Sequence, residues 1–506
     1  MKIRSLIALT LACSGLNAAP ALDAAPSNVA AQQAEKVPAE IVRSDFALLY
    51  RTLQEAHFDL YVHRTKREYD AYYRALAASI RGPMDRVEVA KLFQKFVAYG
   101  RIGHAKVDAP LIAFVTHLRS GGAVVPLFIR VDGKRVVLTH VAEESGVLRA
   151  GVEVAAIDGV PIRKVLDRVG VYVSAERPYM AYAQMEESFP ALLWLDRGAI
   201  ASVMVTTMIE GKAVNVRVPA VTLEQRRALE AKFPTPEPAI DFAAREYREL
   251  ERGIAYLRPG PFFDTEEAAS ETGPSYRSTS FLAFINDSFG KIIASGATDL
   301  IIDLRNNPGG DNSFSDPMIA WFADRPFRFA SSFMLKASAA TKADYARILA
   351  RREPIDAIFA RQMQVEAGQP NGVRYRYDLP LVQPREGQRY RGRVWILVNR
   401  HSYSNAASVA ALVQDYGFGK VLGEETADVA SNYASVQSFT LPGTGMVVSY
   451  PKSHFIRPNG KDEVAGVVPD FSIGRPAIGE AEDVFLRDAL GIVRTQPRAA
   501  PNNTRP

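Results

Sequence analysis

The apolar positions of the chain change period twice, and each change marks a new kind of element. From about Ile41 they recur at helical spacing, with Phe46, Leu49, Tyr50 and Leu53 at i, i+3, i+4 and i+7. Tyr69, Tyr72, Tyr73 and Leu76 repeat the pattern, as do Val89, Leu92, Phe93 and Phe96 before Gly100. These stripes predict a helical domain over 41–118 whose aromatic rings form its core. Val124 to Val141 then alternates around Asp132-Gly133, which predicts a β-hairpin. Residues 146–162 read as a small-residue turn, an apolar strand, an Asp-Gly turn and a second apolar entry, so 119–222 is a compact β domain. Leu223 to Glu251 is charged and helical in pattern, broken by Pro234, Pro236 and Pro238, and reads as a connector over 223–252. A strand at Gly253–Arg258, a helix at Phe281–Ala294 and a buried strand at 299–305 follow. Another strand at Val394–Val398 leads to a helix over Ala406–Tyr416, ending at Gly417, and then to Lys420–Leu422. Strands alternating with helices predict an α/β core over 253–478. The polar and aromatic stretch 331–387 is a lid or a surface insertion, and 479–506 is a tail.

The first forty residues do not belong to this pattern. Lys2 and Arg4 precede the apolar run Leu6–Ala12, and small residues follow through Ala21. That order predicts a secretory signal over 1–21, then an Ala/Pro-rich linker over 22–40. The apolar run is too short to span a bilayer. Cys13 is the only cysteine, so the exported chain has neither a disulfide framework nor a thiol nucleophile. A lipid-attachment box at Cys13 would have Thr10 and Leu11 at its outer positions, which favours plain export. The expected location is the periplasm or the exterior. The length, 506 residues, predicts two to four domains. The net charge of +5 is spread without long basic blocks, which argues against nucleic acid as a partner. No His/Asp/Glu group has the spacing of a metal site and no phosphate-binding glycine loop is evident, so neither metal nor cofactor is expected.

Chemistry concentrates where strands meet helices. Ser404 follows the strand Val394–Val398 at a short polar turn and precedes a helix. A hydroxyl there stands clear of the sheet, beside unpaired helix-terminal N–H groups that suit a developing oxyanion. A helix N-cap role for Ser404, with Ser402 as the exposed hydroxyl, is the structural alternative. After the strand 299–305 comes Asn306-Asn307-Pro308-Gly309-Gly310, where paired glycines allow positive φ and close backbone approach.

Taken in order, Asp303-Leu304-Arg305-Asn306-Asn307-Pro308-Gly309-Gly310, Ser404, Gly423-Glu424-Glu425-Thr426, Leu441-Pro442 and Gly466-Val467-Val468-Pro469-Asp470 resemble peptidase family S41. That family includes the C-terminal processing proteases, the tricorn protease core and the interphotoreceptor retinoid-binding proteins. Gly146–Ile162 ahead of them is similar to a PDZ domain, with Glu153 in place of the usual Asp. The resemblance implies a ClpP/crotonase-like α/β core preceded by helical and PDZ-like domains. It also implies a choice between two catalytic branches. The lysine of the Ser–Lys branch falls at Val429, which cannot take a proton. The Ser-His-Glu branch finds His104 in Gly100-Arg101-Ile102-Gly103-His104 and Glu463 three residues before Gly466, although Gly103 replaces the serine that tricorn has there. Ser404, His104 and Glu463 are then the expected triad. N–H groups of Gly309 or Gly310 and of Asn405 are the expected oxyanion hole, with His454 as the second choice of base. The implied function is an exported serine peptidase acting on peptides or proteins, with entry through their C-terminus as one expected route. The alternatives are a non-catalytic ligand- or peptide-binding protein, or a hydrolase of small esters or cell-wall peptides.

Overall fold

The computed structural model describes residues 36–234, 240–265, 277–350 and 357–497. The expected signal segment 1–21 lies outside them, as does most of the linker. Among the described residues, no helix is long and apolar enough to cross a membrane.

Three helices come first: α1 (Ala39–Ala56), α2 (Lys66–Ser79) and α3 (Arg86–Ala98). Capping boxes start two of them, with Thr65 and Glu68 at α2 and Asp85 and Glu88 at α3. Then come β1 (Lys106–Val107) and α4 (Ala109–Arg119). The predicted aromatic stripes meet in one core, where Phe46 packs edge-on to Phe96 with ring centroids 5.0 Å apart. That core is not purely N-terminal. Leu441, Met446, Val448 and Tyr450 close it, because β1 pairs antiparallel with a strand more than three hundred residues later.

The middle of the chain forms the hairpin β2 (Ile129–Asp132) and β3 (Arg135–Leu138), then β4 (Ala156–Ile157) and β5 (Val160–Pro161). Helices α5 (Ile162–Gly170) and α6 (Pro178–Arg197) follow, then β6 (Ser202–Ile209), β7 (Lys212–Pro219) and α7 (Leu223–Lys232). A four-stranded sheet runs in the order β5-β4-β6-β7. The helical reading of 223–251 holds only for α7. The last six residues of that stretch are β8 (Glu246–Glu251), a sheet-edge strand with exposed charged side chains, a composition that protects such edges.

The remainder is β9 (Ile254–Arg258), α8 (Thr279–Ala294), β10 (Asp299–Asp303), α9 (Asn312–Ile319), β11 (Ser332–Lys336), α10 (Ala339–Ala350), α11 (Ala357–Ala367) and β12 (Arg374–Arg376). It continues with β13 (Arg393–Val398), α12 (Asn405–Tyr416), β14 (Lys420–Gly423), β15 (Asn432–Thr440), β16 (Val447–Ile456), β17 (Phe471–Ser472) and α13 (Val484–Thr495). Six strands form the central sheet, β17-β14-β13-β10-β9-β8, parallel except for β8. Its inner strands β9 and β10 are buried along their whole length, as the continuous apolar runs require. Two strands within the stretch 331–387 join a second sheet: β11 pairs with β16 and β12 with β11. The stretch read as a tail carries α13, whose Phe485, Leu486, Ala489 and Val493 pack on the central sheet.

Candidate active site

The loops after β10 and β13 leave the C-terminal ends of adjacent parallel strands, where open α/β sheets place their ligands. They are locked together. Asn399 Nδ2 donates to Asn306 Oδ1 at 2.7 Å, and Asn306 N donates to Asn399 Oδ1 at 3.0 Å. Tyr403 N donates to Asn307 O at 2.9 Å.

Ser402 is fully buried, and its hydroxyl donates to Leu304 O at 2.7 Å. It braces the turn and is not the exposed hydroxyl. Ser404 makes no side-chain cap and stands at φ 52°, ψ −124°. A non-glycine residue costs about 1–3 kcal/mol in such a conformation, which persists only where the surroundings impose it. Ser404→Gly should therefore be more stable than Ser404→Ala by about 1 kcal/mol. Urea unfolding of the two variants checks this, and equal midpoints would contradict it.

His104 lies between α3 and β1, and its Nε2 is 3.2 Å from Ser404 Oγ. The ring is 3 % exposed. Burial pushes its pKa down to about 4, against the charge of Glu176 and with that of Lys106. The imidazole is thus neutral, and able to accept a proton, at neutral pH. Pairing of β1 with β16 and the hydrogen bond from Ser174 Oγ to Ala105 O hold this segment from both sides.

Two other histidines, His401 and the second-choice base His454, are engaged elsewhere. His401 lies 3.4 Å from Glu186 and 3.2 Å from Glu187. Burial lowers its pKa, but these hydrogen bonds outweigh it and raise it to about 9. His454 pairs with Asp462 at 3.2 Å and stacks on Tyr433. The expected third member, Glu463, is exposed and makes neither a hydrogen bond nor an ion pair with His104. Its segment follows β16 in a tight local turn, with Ala465 N donating to the Glu463 carbonyl at 2.9 Å.

Three groups that the sequence reading missed stand there instead. Asp428 Oδ2 is 3.7 Å from His104 Nε2 and accepts from Ser404 N at 3.0 Å. Asn432 Nδ2 donates to the same oxygen at 2.6 Å. Glu176 Oε1 accepts from Gly103 N at 2.8 Å. Asp428 was visible in sequence only as half of the Asp428-Val429 pair at the place of the missing lysine.

The glycine pair is not symmetric. Gly309 N already donates to Asn307 Oδ1 at 2.9 Å. Among the described residues nothing accepts from Gly310 N or Asn405 N. A cavity of about 200 Å³ opens beside these groups, lined by Gly103, Tyr403, Pro308, Ala427, Leu111 and Tyr172. Among the described residues no cluster of His, Cys, Asp and Glu is arranged to hold a metal ion.

Residues 277–473 match the family model "Peptidase family S41". No curated protein matches the chain. Among solved structures it is similar to mature CPAF complexed with lactacystin: 17 % identity, TM-score 0.58, covering 90 % of this chain and 98 % of that one. A serine-to-alanine variant of CPAF is similar at 16 % identity and TM-score 0.58, over 86 % and 93 % of the two chains. A further structure of mature CPAF aligns at 16 % identity and TM-score 0.56, over 86 % and 92 %. At these identities the likeness is one of fold, and it extends over the helical and middle segments as well as the core. The core of this chain, residues 277–473, is thus similar to peptidase family S41, and the chain as a whole shares its fold with mature CPAF.

Proposed function

We propose that the protein is an exported serine peptidase in which Ser404 attacks the scissile carbonyl and His104 is its base. The observation that carries this reading is the 3.2 Å approach of His104 Nε2 to a serine held at positive φ. In the reaction the Ser404 proton passes to Nε2 as Oγ bonds to the carbonyl carbon. The electron pair released onto the oxygen faces the N–H groups of Gly310 and Asn405. Collapse expels the amine, which takes the proton back from Nε2, and water repeats the sequence on the acyl-enzyme. The middle unit, 119–222, is assigned as PDZ-like. Its edge strand β7 offers unpaired backbone groups to an extended peptide. The sequence signal over 1–21 supports export.

Labelling with a fluorophosphonate tests the core of the reading. Wild type is expected to label, and Ser404→Ala and His104→Ala to lose labelling. A folded wild type that does not label would overturn it in favour of a binding protein. Labelled enzyme that cleaves esters but no peptide would move the substrate class to small esters.

A further inference from the structure

A catalytic imidazole needs a group that favours its charged form as the serine gives up its proton. Glu463 is not placed to do this: Asp428 lies 3.7 Å from Nε2, Glu176 is bonded to the amide of Gly103 beside the histidine, and Nδ1 has no hydrogen-bond partner among the described residues. Asp428 is fully buried and already accepts three N–H donors: Ser404 N, Asn432 Nδ2 and Val429 N. It also faces Nε2, the nitrogen turned to Ser404, and so holds the nucleophile's backbone rather than the base.

Glu176 differs in origin and in placement. It lies between α5 and α6, in the middle unit, and reaches across to the amide of the residue just before His104. Gly103 makes room for it. A Cβ at 103 would lie 3.2 Å from Glu176 Oε2 and 2.7 Å from the Tyr403 hydroxyl. The glycine that departs from the tricorn pattern is thus the opening through which a carboxylate enters. Neighbouring contacts hold the same seam: Ser174 Oγ donates to Ala105 O at 2.5 Å, and Gln94 Nε2 donates to Tyr172 O at 2.7 Å. The acid and the base therefore sit on two segments that these contacts clamp together.

Resting on the reading above, we infer that Glu176 is the positioning acid of this site, delivered to His104 by the middle unit, so that the site is complete only while that unit is docked.

The electrostatics agree. Among the charges around His104, Glu176 favours the protonated ring, whereas Lys106 opposes it. The charged or titratable groups acting on Glu176 itself are Asp428 and His104, and the Tyr433 hydroxyl also senses its charge. Burial, and next the like charge of Asp428, push Glu176 up to about 7. Its folded form therefore holds a proton that the unfolded chain releases near 4.5. Stability falls as pH rises from there through about 7.

Glu176→Gln keeps an acceptor for Gly103 N and removes the charge. It should lower kcat about 10-fold or more with little change in KM. It should also remove the loss of activity that protonation of Glu176 imposes on wild type below about pH 7, and raise the melting temperature at pH 8. A residue that was only structural would lose stability and activity together. Fluorophosphonate labelling, pH–rate profiles and melting curves are read on wild type, Glu176→Gln and Glu463→Gln. Wild type that labels beside a Glu176→Gln that labels equally fast overturns the inference and leaves the serine–histidine reading intact. Loss of rate in Glu463→Gln with none in Glu176→Gln would return the role to Glu463. Wild type that fails to label takes both readings down.

Discussion

Gly309→Ala is expected to reduce fluorophosphonate labelling and peptide turnover by about 10²–10³-fold, the loss that follows when one oxyanion donor is displaced. The reason is contact, not loss of a side chain. Gly309 has φ 91°, and a Cβ there would lie 2.6 Å from Asn405 N, 2.7 Å from Ser404 Cβ and 2.8 Å from Tyr403 O. All three belong to the turn that carries the nucleophile, and two are backbone atoms that cannot rotate aside. Accommodation requires the 306–311 loop and the 399–405 loop to separate. The Asn306–Asn399 pair and the bond from Tyr403 N to Asn307 O oppose that. Gly417→Ala is the matched control. Gly417 also has positive φ, 69°, but a Cβ there meets nothing within 4 Å. It should cost about 1 kcal/mol of stability and leave labelling unchanged. If Gly309→Ala labels at the wild-type rate, the glycine loop is not part of the anion site.

Asp303→Ala should destabilise the protein by about 3–5 kcal/mol, because it strands buried charge. Asp303 ends β10, immediately before the glycine loop, and is fully buried. It accepts from Arg305 Nη2 at 2.7 Å, from Arg258 Nη2 at 2.8 Å and from the Tyr256 hydroxyl at 2.7 Å. Burial alone would raise its pKa, but the two guanidinium groups outweigh it and hold the carboxyl well below the usual range. Its contribution is therefore present above the unfolded value near 4 and fades as pH falls below it. Arg305 also holds Asp483 through two 2.7 Å bonds, tying the N-cap of α13 to the strand end. Urea unfolding at pH 7 gives the loss, and the gap between wild type and variant should narrow toward pH 3. A variant within 1 kcal/mol of wild type at pH 7 would show that the network is replaceable.

How far the sequence reached can be judged element by element. The apolar runs at 299–305 and 394–398 read as buried strands and are β10 and β13, and the helix after Ser404 ends at Gly417 in the left-handed conformation. These features are local: a run of β-branched and leucine side chains, or a glycine where φ is positive, leaves its mark within a few residues. Misreadings also had local causes. Glu246–Glu251 carries three glutamates and an arginine, so it looked helical, yet it is an edge strand whose charge composition suits its exposure. Residues 484–495 were passed over as a tail, although Phe485, Leu486, Ala489 and Val493 share one helical face.

By itself the sequence determined the strand-loop-helix that presents Ser404, the paired glycines after the preceding buried strand and the S41 order of motifs, and it singled out His104 among seven histidines as the candidate base. All of these rest on residue type, spacing and motif order. Only the tertiary structure decided that Ser402 braces the turn while Ser404 faces His104, that Gly310 rather than Gly309 keeps an open amide, and that Asp428 lies near the imidazole and Glu176 on the amide before it, with Glu463 away from both. A carboxylate acts on a histidine according to distance and burial, and here the partners are set by a strand pairing that joins Lys106 to Ser449 and a loop that brings residue 176 to residue 103. Such long-range closures follow from the packing of the whole core, so no window of sequence contains them.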